Sequence, residues 1–268
     1  PDKREVFVLN SEPIINKDGT TKNDCERNAA KRLLEQLEES YAEPIEKYNF
    51  LMVEDALYAN EPHIKDLLGK GFDYIINVKP TSQKTLFKQV QGRQKRKQTR
   101  KYSFTKNGVK HSFEYANNLA LTNSGKVRVN FLHYQQTDKK GKTTTFSWIT
   151  NIKINKNSVT NIMKTGRSRW KIENETFNTL KNLGYHFEHN YGHGKDHLST
   201  MFAYLMLLAF LVDQIIQAAC HIFKVIELNI RTKIKLWEAI KATFHSVICQ
   251  SMEHIYHIVA FNFEIQIE

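Results

Sequence analysis

The sequence predicts an α/β protein with a basic, β-rich insertion and an all-helical C-terminal region. Three observations carry that class. Short apolar runs alternate with helical spacing up to Val78. Aromatic and β-branched alternation, cut by Gly turns, fills residues 102–149. From residue 158 to the end, helical periodicity dominates.

Taken in order, Val6-Phe7-Val8-Leu9 within EVFVLN (5–10) predicts a strand, followed by a turn at Lys17-Asp18-Gly19. Asp24 is placed to cap a helix through Gln36, with Ala29, Ala30, Leu33, Leu34 and Leu37 at helical spacing, and Pro44 closes the region. Phe50-Leu51-Met52-Val53 has the continuous apolar texture of a strand buried on both faces, and it stops at Glu54-Asp55. A helix over Glu61 to Leu68 and a second buried strand over Tyr74 to Val78, closed by Pro80, complete a strand–helix alternation that predicts a largely parallel sheet. The β-rich part follows the basic run RQKRKQTRK (93–101), with turns at Asn107-Gly108, Ser124-Gly125 and Lys140-Gly141. The helical part is broken between Gly184 and Gly194 and near Asn229. The resulting division is 1–80, 81–150, 151–222 and 223–268.

At 268 residues with 41% hydrophobic side chains the chain can bury a real core. Cys25, Cys220 and Cys249 are far apart and read as reduced thiols, which points to a cytoplasmic setting. The apolar run LSTMFAYLMLLAFLV stops at Asp213, short of a membrane span, so it reads as a buried central helix. No membrane partner is expected. The chain does not open on Met, and a strand so close to Pro1 suggests a start inside a fold.

Charge is distributed in blocks. Residues 1–73 carry 10 Lys/Arg against 16 Asp/Glu, residues 74–172 carry 22 against 2, and residues 173–268 carry 7 against 10. A cationic middle third of this kind suits a phosphate backbone, because each neutralised phosphate releases counterions. The candidate nucleic-acid contacts are Arg93, Lys95, Arg96, Lys97, Arg100 and Lys101 in the run, and Arg167, Arg169, Lys171 and Lys181 beyond it.

GRSRWKIENETFNTLKN (166–182) holds two carboxylates, Glu173 and Glu175. On a regular α-helix with Trp170 at zero, Glu173 falls at about 300°, inside the apolar face formed by Ile172, Leu180 and Phe177, and Glu175 falls at about 140°, on the wet side. A carboxylate turned toward a core needs a cation or a metal. Either Arg169, one turn earlier, pairs with Glu173, or Glu173 joins Asp55 at the carboxyl end of a central strand to bind a divalent ion. Glu54 is adjacent to Asp55, but only one of the two can face the helix that carries Glu173. His186, His189, His193 and His197 with Glu188 lie among glycines and read as a connecting loop, not a zinc site. Trp148 and Trp170 read first as core aromatics and second as base-stacking surfaces.

VEDALYANEPHIKDLLGKGFDYIINVKP (53–80) and GRSRWKIENETFNTLKNLGYHFEHNYGHGKDHLS (166–199) resemble the bacterial insertion-sequence DDE transposases of the insertion-sequence-four type. The resemblance runs from about residue 5 to about 215. It implies a ribonuclease H-like core of the retroviral integrase superfamily with a β-strand insertion. It further implies Asp55 and Glu173 as catalytic metal ligands, Mg²⁺ (or Mn²⁺) as cofactor, and double-stranded DNA as partner, at both transposon ends and target. A homodimer and a nucleoid-associated location in a bacterial cytoplasm go with it. Arg169 keeps the family's Arg-x3-Glu spacing. The Tyr expected three positions before it is Gly166, and the following Lys is Lys181, one position late. The strand at 5–10 corresponds to the third of a meander whose first strand bears the first catalytic Asp, so the chain reads as lacking that strand and residue. Two other functions fit the same residues: a DNA-binding protein without catalysis, and a metal-dependent nuclease without strand transfer.

Overall fold

The computed structural model describes residues 6–14, 24–192, 194 and 197–267. It divides into two compact units, the first built on residues 12–170 and the second on residues 171–268 with the short segment 3–11.

The first unit is a six-stranded sheet with helices on both faces. In chain order it contains α1 (Glu26–Tyr48), β1 (Leu51–Glu54), a 3-10 turn (Ala56–Tyr58), α2 (Glu61–Gly69), β2 (Asp73–Asn77) and α3 (Lys84–Lys95). These are followed by β3 (Arg100–Lys106), β4 (Val109–Ala120), β5 (Arg128–Thr137), β6 (Thr143–Thr150) and α4 (Val159–Arg167). The strand order is β1-β2-β6-β5-β4-β3. Only β1 and β2 are parallel; β6 pairs antiparallel to β2 through Ile75↔Thr150 and Asn77↔Trp148. The expected largely parallel sheet is therefore a mixed one. The antiparallel strands also join the same sheet as β1 and β2.

Alternation along the strands sorts two cores. Tyr74, Ile76, Phe131 and Ile149 point to the face covered by α1, α2 and α3, while Ile75, Leu132, Tyr134 and Trp148 point to the face covered by α4. Near-complete burial of such side chains stabilises the unit by about 1.5–3 kcal/mol each. On β4 the parity switches at a bulge between Ala116 and Leu119, where Asn118 takes a left-handed φ of 59°. Leu119 thereby reaches the same core as Ala116. The β3–β4 connection is the two-residue turn expected at Asn107-Gly108, with φ of 53° and 77°.

Several expected elements are corrected. Residues 6–10 form no strand, and Phe7 and Leu9 are exposed; the turn at 17–19 lies outside the described residues. Asp24 does not cap α1. Its carboxylate instead accepts from Arg32, at 2.6 Å to Nη2. α1 runs past Pro44, because a kink at Tyr41 (φ −131°) frees the chain just where the proline removes a backbone donor. Helix α3 is not expected within the basic segment, since its apolar residues are few: Leu86 and Val90, one turn apart, are buried, and Phe87 packs partly against the same core.

The second unit holds a π-helical segment (Ile172–Phe177), α5 (Asn178–Asn182), α6 (Leu198–Ala219), α7 (His221–Asn229), α8 (Lys233–Ser246) and α9 (Met252–Asn262). The breaks fall between α5 and α6 and at Asn229, as expected. Phe223, Ile226, Leu236, Ile255, Tyr256 and Val259 form its core. Helix α6 is not the buried central helix expected. Phe210 alone of its residues is fully buried, while Met201, Leu205, Leu208 and Ile215 are half-exposed. It is long and apolar enough to cross a membrane by length and composition, with a mean hydropathy of 1.8.

Candidate active site and basic surface

Asp55 follows the last residue of β1, at the carboxyl end of the parallel pair, where α/β sheets collect ligands. It caps the 3-10 turn: Oδ1 accepts from the Leu57 backbone N–H at 2.8 Å. The adjacent Glu54 is spent differently. Both its oxygens lie 2.9 Å from His63 Nε2, and the two side chains are 12% and 10% exposed. His63 is held in turn by its place in the first turn of α2, where Asn60 Oδ1 accepts from the His63 backbone N–H. Tyr58 packs its ring 5.0 Å from the His63 ring and donates its hydroxyl to Glu26. Burial, then the Glu26 carboxylate, raises the Tyr58 pKa, so the phenol stays a donor. Of two neighbouring carboxylates, Glu54 is hydrogen-bonded to His63 inside the fold, and Asp55, among the described residues, accepts from the backbone N–H of Leu57.

Glu173 lies in the second unit, in the π segment, and it is exposed. The regular-helix phase therefore does not hold. A π turn takes more residues than an α turn, and the buried positions are Thr176 and Leu180, while Ile172 and Phe177 are exposed. Among the described residues no group of three or more His, Cys, Asp and Glu side chains is assembled that could hold a metal ion. The donor chemistry of Asp55 does fit one: Mg²⁺ prefers hard oxygens and is commonly held by one or two carboxylates plus substrate phosphates.

The basic residues separate by role. Arg93 donates to the Asn117 and Asn118 carbonyls at 3.2 and 3.3 Å, tying α3 to the β4 bulge. Lys95, Arg96 and Lys97 turn off the end of α3, and Arg100 and Lys101 open β3; all five are exposed. Lys84 and Lys88, one turn apart on α3, line with Arg93 and Arg96 an open groove of about 670 Å³. Sequence reasoning missed these two lysines because it missed the helix; Leu86 and Val90 were the available signal. Arg167 is pre-set, donating to Gln136 Oε1 at 2.8 Å and lying 5.2 Å over the Phe146 ring. Lys181 pairs with Glu188 at 2.7 Å. Arg169 and Lys171 are half-buried.

Gly166 explains the missing tyrosine. A Cβ there would meet Trp148 Cε2 at 2.7 Å, so the indole occupies the space a side chain would need. Trp148 is fully buried, and Trp170 is exposed. The histidine-bearing stretch from 184 to 192 is a loop, and His193 lies outside the described residues.

The fold and site define a mixed α/β protein with a carboxylate at the end of its parallel pair and a strongly cationic flank. Residues 6–211 match the model of the transposase DDE domain, and the chain belongs to that family of transposases. Comparison with curated proteins gives no match.

Proposed function

We propose that this chain is the catalytic region of an insertion-sequence-four type transposase with a ribonuclease H-like core. It cuts DNA at insertion-sequence ends and joins them to target DNA, as a cytoplasmic, nucleoid-associated protein acting as a homodimer. The observation that carries the reading is the division of labour at the end of β1, where His63 takes Glu54 and leaves Asp55 as the available carboxylate. Asp55 and Glu173 are the proposed holders of Mg²⁺ or Mn²⁺. Such an ion, when bound, activates a water or 3′-hydroxyl and stabilises the leaving oxygen. The residues themselves supply hard oxygen ligands, and the α3 groove with Arg167 holds the phosphates of the duplex. Residues 1–80 and 151–222 form the core in this reading, 81–150 the insertion and 223–268 a helical appendix.

Mg²⁺-dependent nicking of duplex DNA by the purified chain, abolished in Asp55→Ala, would support the catalytic reading, whereas nicking that survives Asp55→Ala would remove Asp55 from the site. A second reading, DNA binding without catalysis, rests on the exposed cationic run Lys95, Arg96, Lys97, Arg100 and Lys101 alone. Thermal stability in Mn²⁺ separates the two: a rise that Asp55→Asn removes supports the metal site, and no rise sinks it.

A further inference from the structure

The second unit contains a cavity of about 470 Å³ that the transposase reading does not use, walled by the loop after α5, by α6 and by α8. At its wall stands Asp213, most of it withdrawn from solvent, with Tyr185 as its hydrogen-bond partner: the phenol donates to Oδ2. Among the described residues nothing donates to Oδ1. Phe210 sets Tyr185 in place by an edge contact at 5.9 Å. Trp237 contributes a second aromatic wall, and Glu238 a second carboxylate at the rim. Lys241, also at the rim, is exposed and among the described residues makes no ion pair.

A carboxylate desolvated against a single neutral donor is poorly compensated. Burial accordingly raises the Asp213 pKa, with the Tyr185 hydrogen bond pulling the other way. A cationic guest removes that deficit. A bare divalent ion is a poor candidate, since it needs several oxygens and no three-group cluster is present among the described residues. Asp213 at the wall and Glu238 at the rim, set against Lys241 at the rim, disfavour an anion beside Asp213. The aromatic and aliphatic walls favour an organic cation, held by ring faces and by a carboxylate at one end. We propose that this cavity binds a primary alkylammonium, the group shared by free diamines and lysine side chains, with Asp213 as its anionic anchor and Tyr185 and Trp237 as its walls. The site is independent of DNA chemistry.

The test follows the Trp237 indole resonance of the 268-residue chain, assigned through Trp237→Phe, during titration with 1,4-diaminobutane at neutral pH. A saturable shift is expected with Kd at or below about 1 mM, weakened at least tenfold in Asp213→Asn and unchanged in Asp138→Asn. 1-Butanol, with the stem and no charge, should leave the resonance in place. An equal response to butanol, an undiminished response in Asp213→Asn, or no shift at all overturns the proposal. If circular dichroism shows Asp213→Asn to be unfolded, Tyr185→Phe decides instead. It frees both oxygens for the guest, so binding should hold or tighten, and a loss rejects the anchor. Tighter binding of an Nα-acetyl-lysine amide than of the diamine assigns the pocket to a partner's lysine; the reverse assigns it to a free polyamine.

Discussion

Trp148 in the first unit and Leu205 in the second are both large apolar residues on regular elements, yet one is sealed and the other half-exposed. The sheet explains the contrast. Trp148 sits on β6 between β2 and β5, beneath α4, and Gly166 brings that helix against the indole. Leu205 lies on an apolar helix that commits Phe210 alone to full burial. Apolarity of sequence therefore does not settle burial; long-range strand pairing does.

The largest expected effect breaks that contrast directly. Trp148→Ala should cost about 3–5 kcal/mol, read as a fall in the urea midpoint, whereas Leu205→Ala should stay within about 0.5 kcal/mol. A loss at Leu205 as large as at Trp148 would mean that α6 is covered in solution. The buried Trp148 Nε1, which has no hydrogen-bond partner among the described residues, adds a finer point. An indole donor left without an acceptor already costs the fold, so replacement by Phe should recover most of the stability lost in Ala.

The same comparison extends to the carboxylates at the end of β1. His63→Ala strands Glu54 in a low-exposure site and should cost on the order of 2–3 kcal/mol. Asp55→Asn keeps an acceptor for the Leu57 N–H and should cost under about 1 kcal/mol. If the two ranks reverse, Glu54 is not the member committed to the fold by its hydrogen bond to His63, and the choice of Asp55 as metal ligand loses its support. On the basic flank, Lys84→Ala with Lys88→Ala should lower the salt slope of DNA binding by about 2, with no change in sequence preference. An unchanged slope would remove α3 from the DNA surface.

What the sequence made legible was short-range or compositional. The strand before Glu54-Asp55, the Asn107-Gly108 hairpin, the helix breaks and the cationic block all stand. What it concealed depended on partners far along the chain. The antiparallel return of β6 onto β2 was invisible, because a strand buried on both faces looks alike in parallel and antiparallel company. α3 hid behind its lysines, having only Leu86, Phe87 and Val90 to set against the core. Glu173 was placed by a regular phase of 100° per residue, and the π segment, which no residue pattern announces, turned it outward. The Glu54–His63 pair needed the first turn of α2 to swing back onto β1.

The smallest effect tests the second unit and its cavity together. Burial raises the Asp213 pKa above its unfolded value, so the native state holds that proton at a higher pH than the unfolded chain does. Stability contributed by the protonated form is present at low pH and is lost as pH rises from the usual carboxylate range through the raised value. Asn at 213 has no proton to lose. Asp213→Asn should therefore match the parent Tm in acid and exceed it at neutral pH, the gap opening across that window and then staying flat. Glu238, His186 and Lys241 line the same cavity, and Tyr256 also senses the Asp213 charge. All four are present in both proteins and cancel from the difference to first order. A bound ammonium supplies the compensation the carboxylate lacks, so saturating 1,4-diaminobutane should raise the parent more than the variant and close the neutral-pH gap. A gap that diamine leaves intact would separate the two ideas: Asp213 would still be a costly buried carboxylate, but its cost would not be relieved by an ammonium in this cavity.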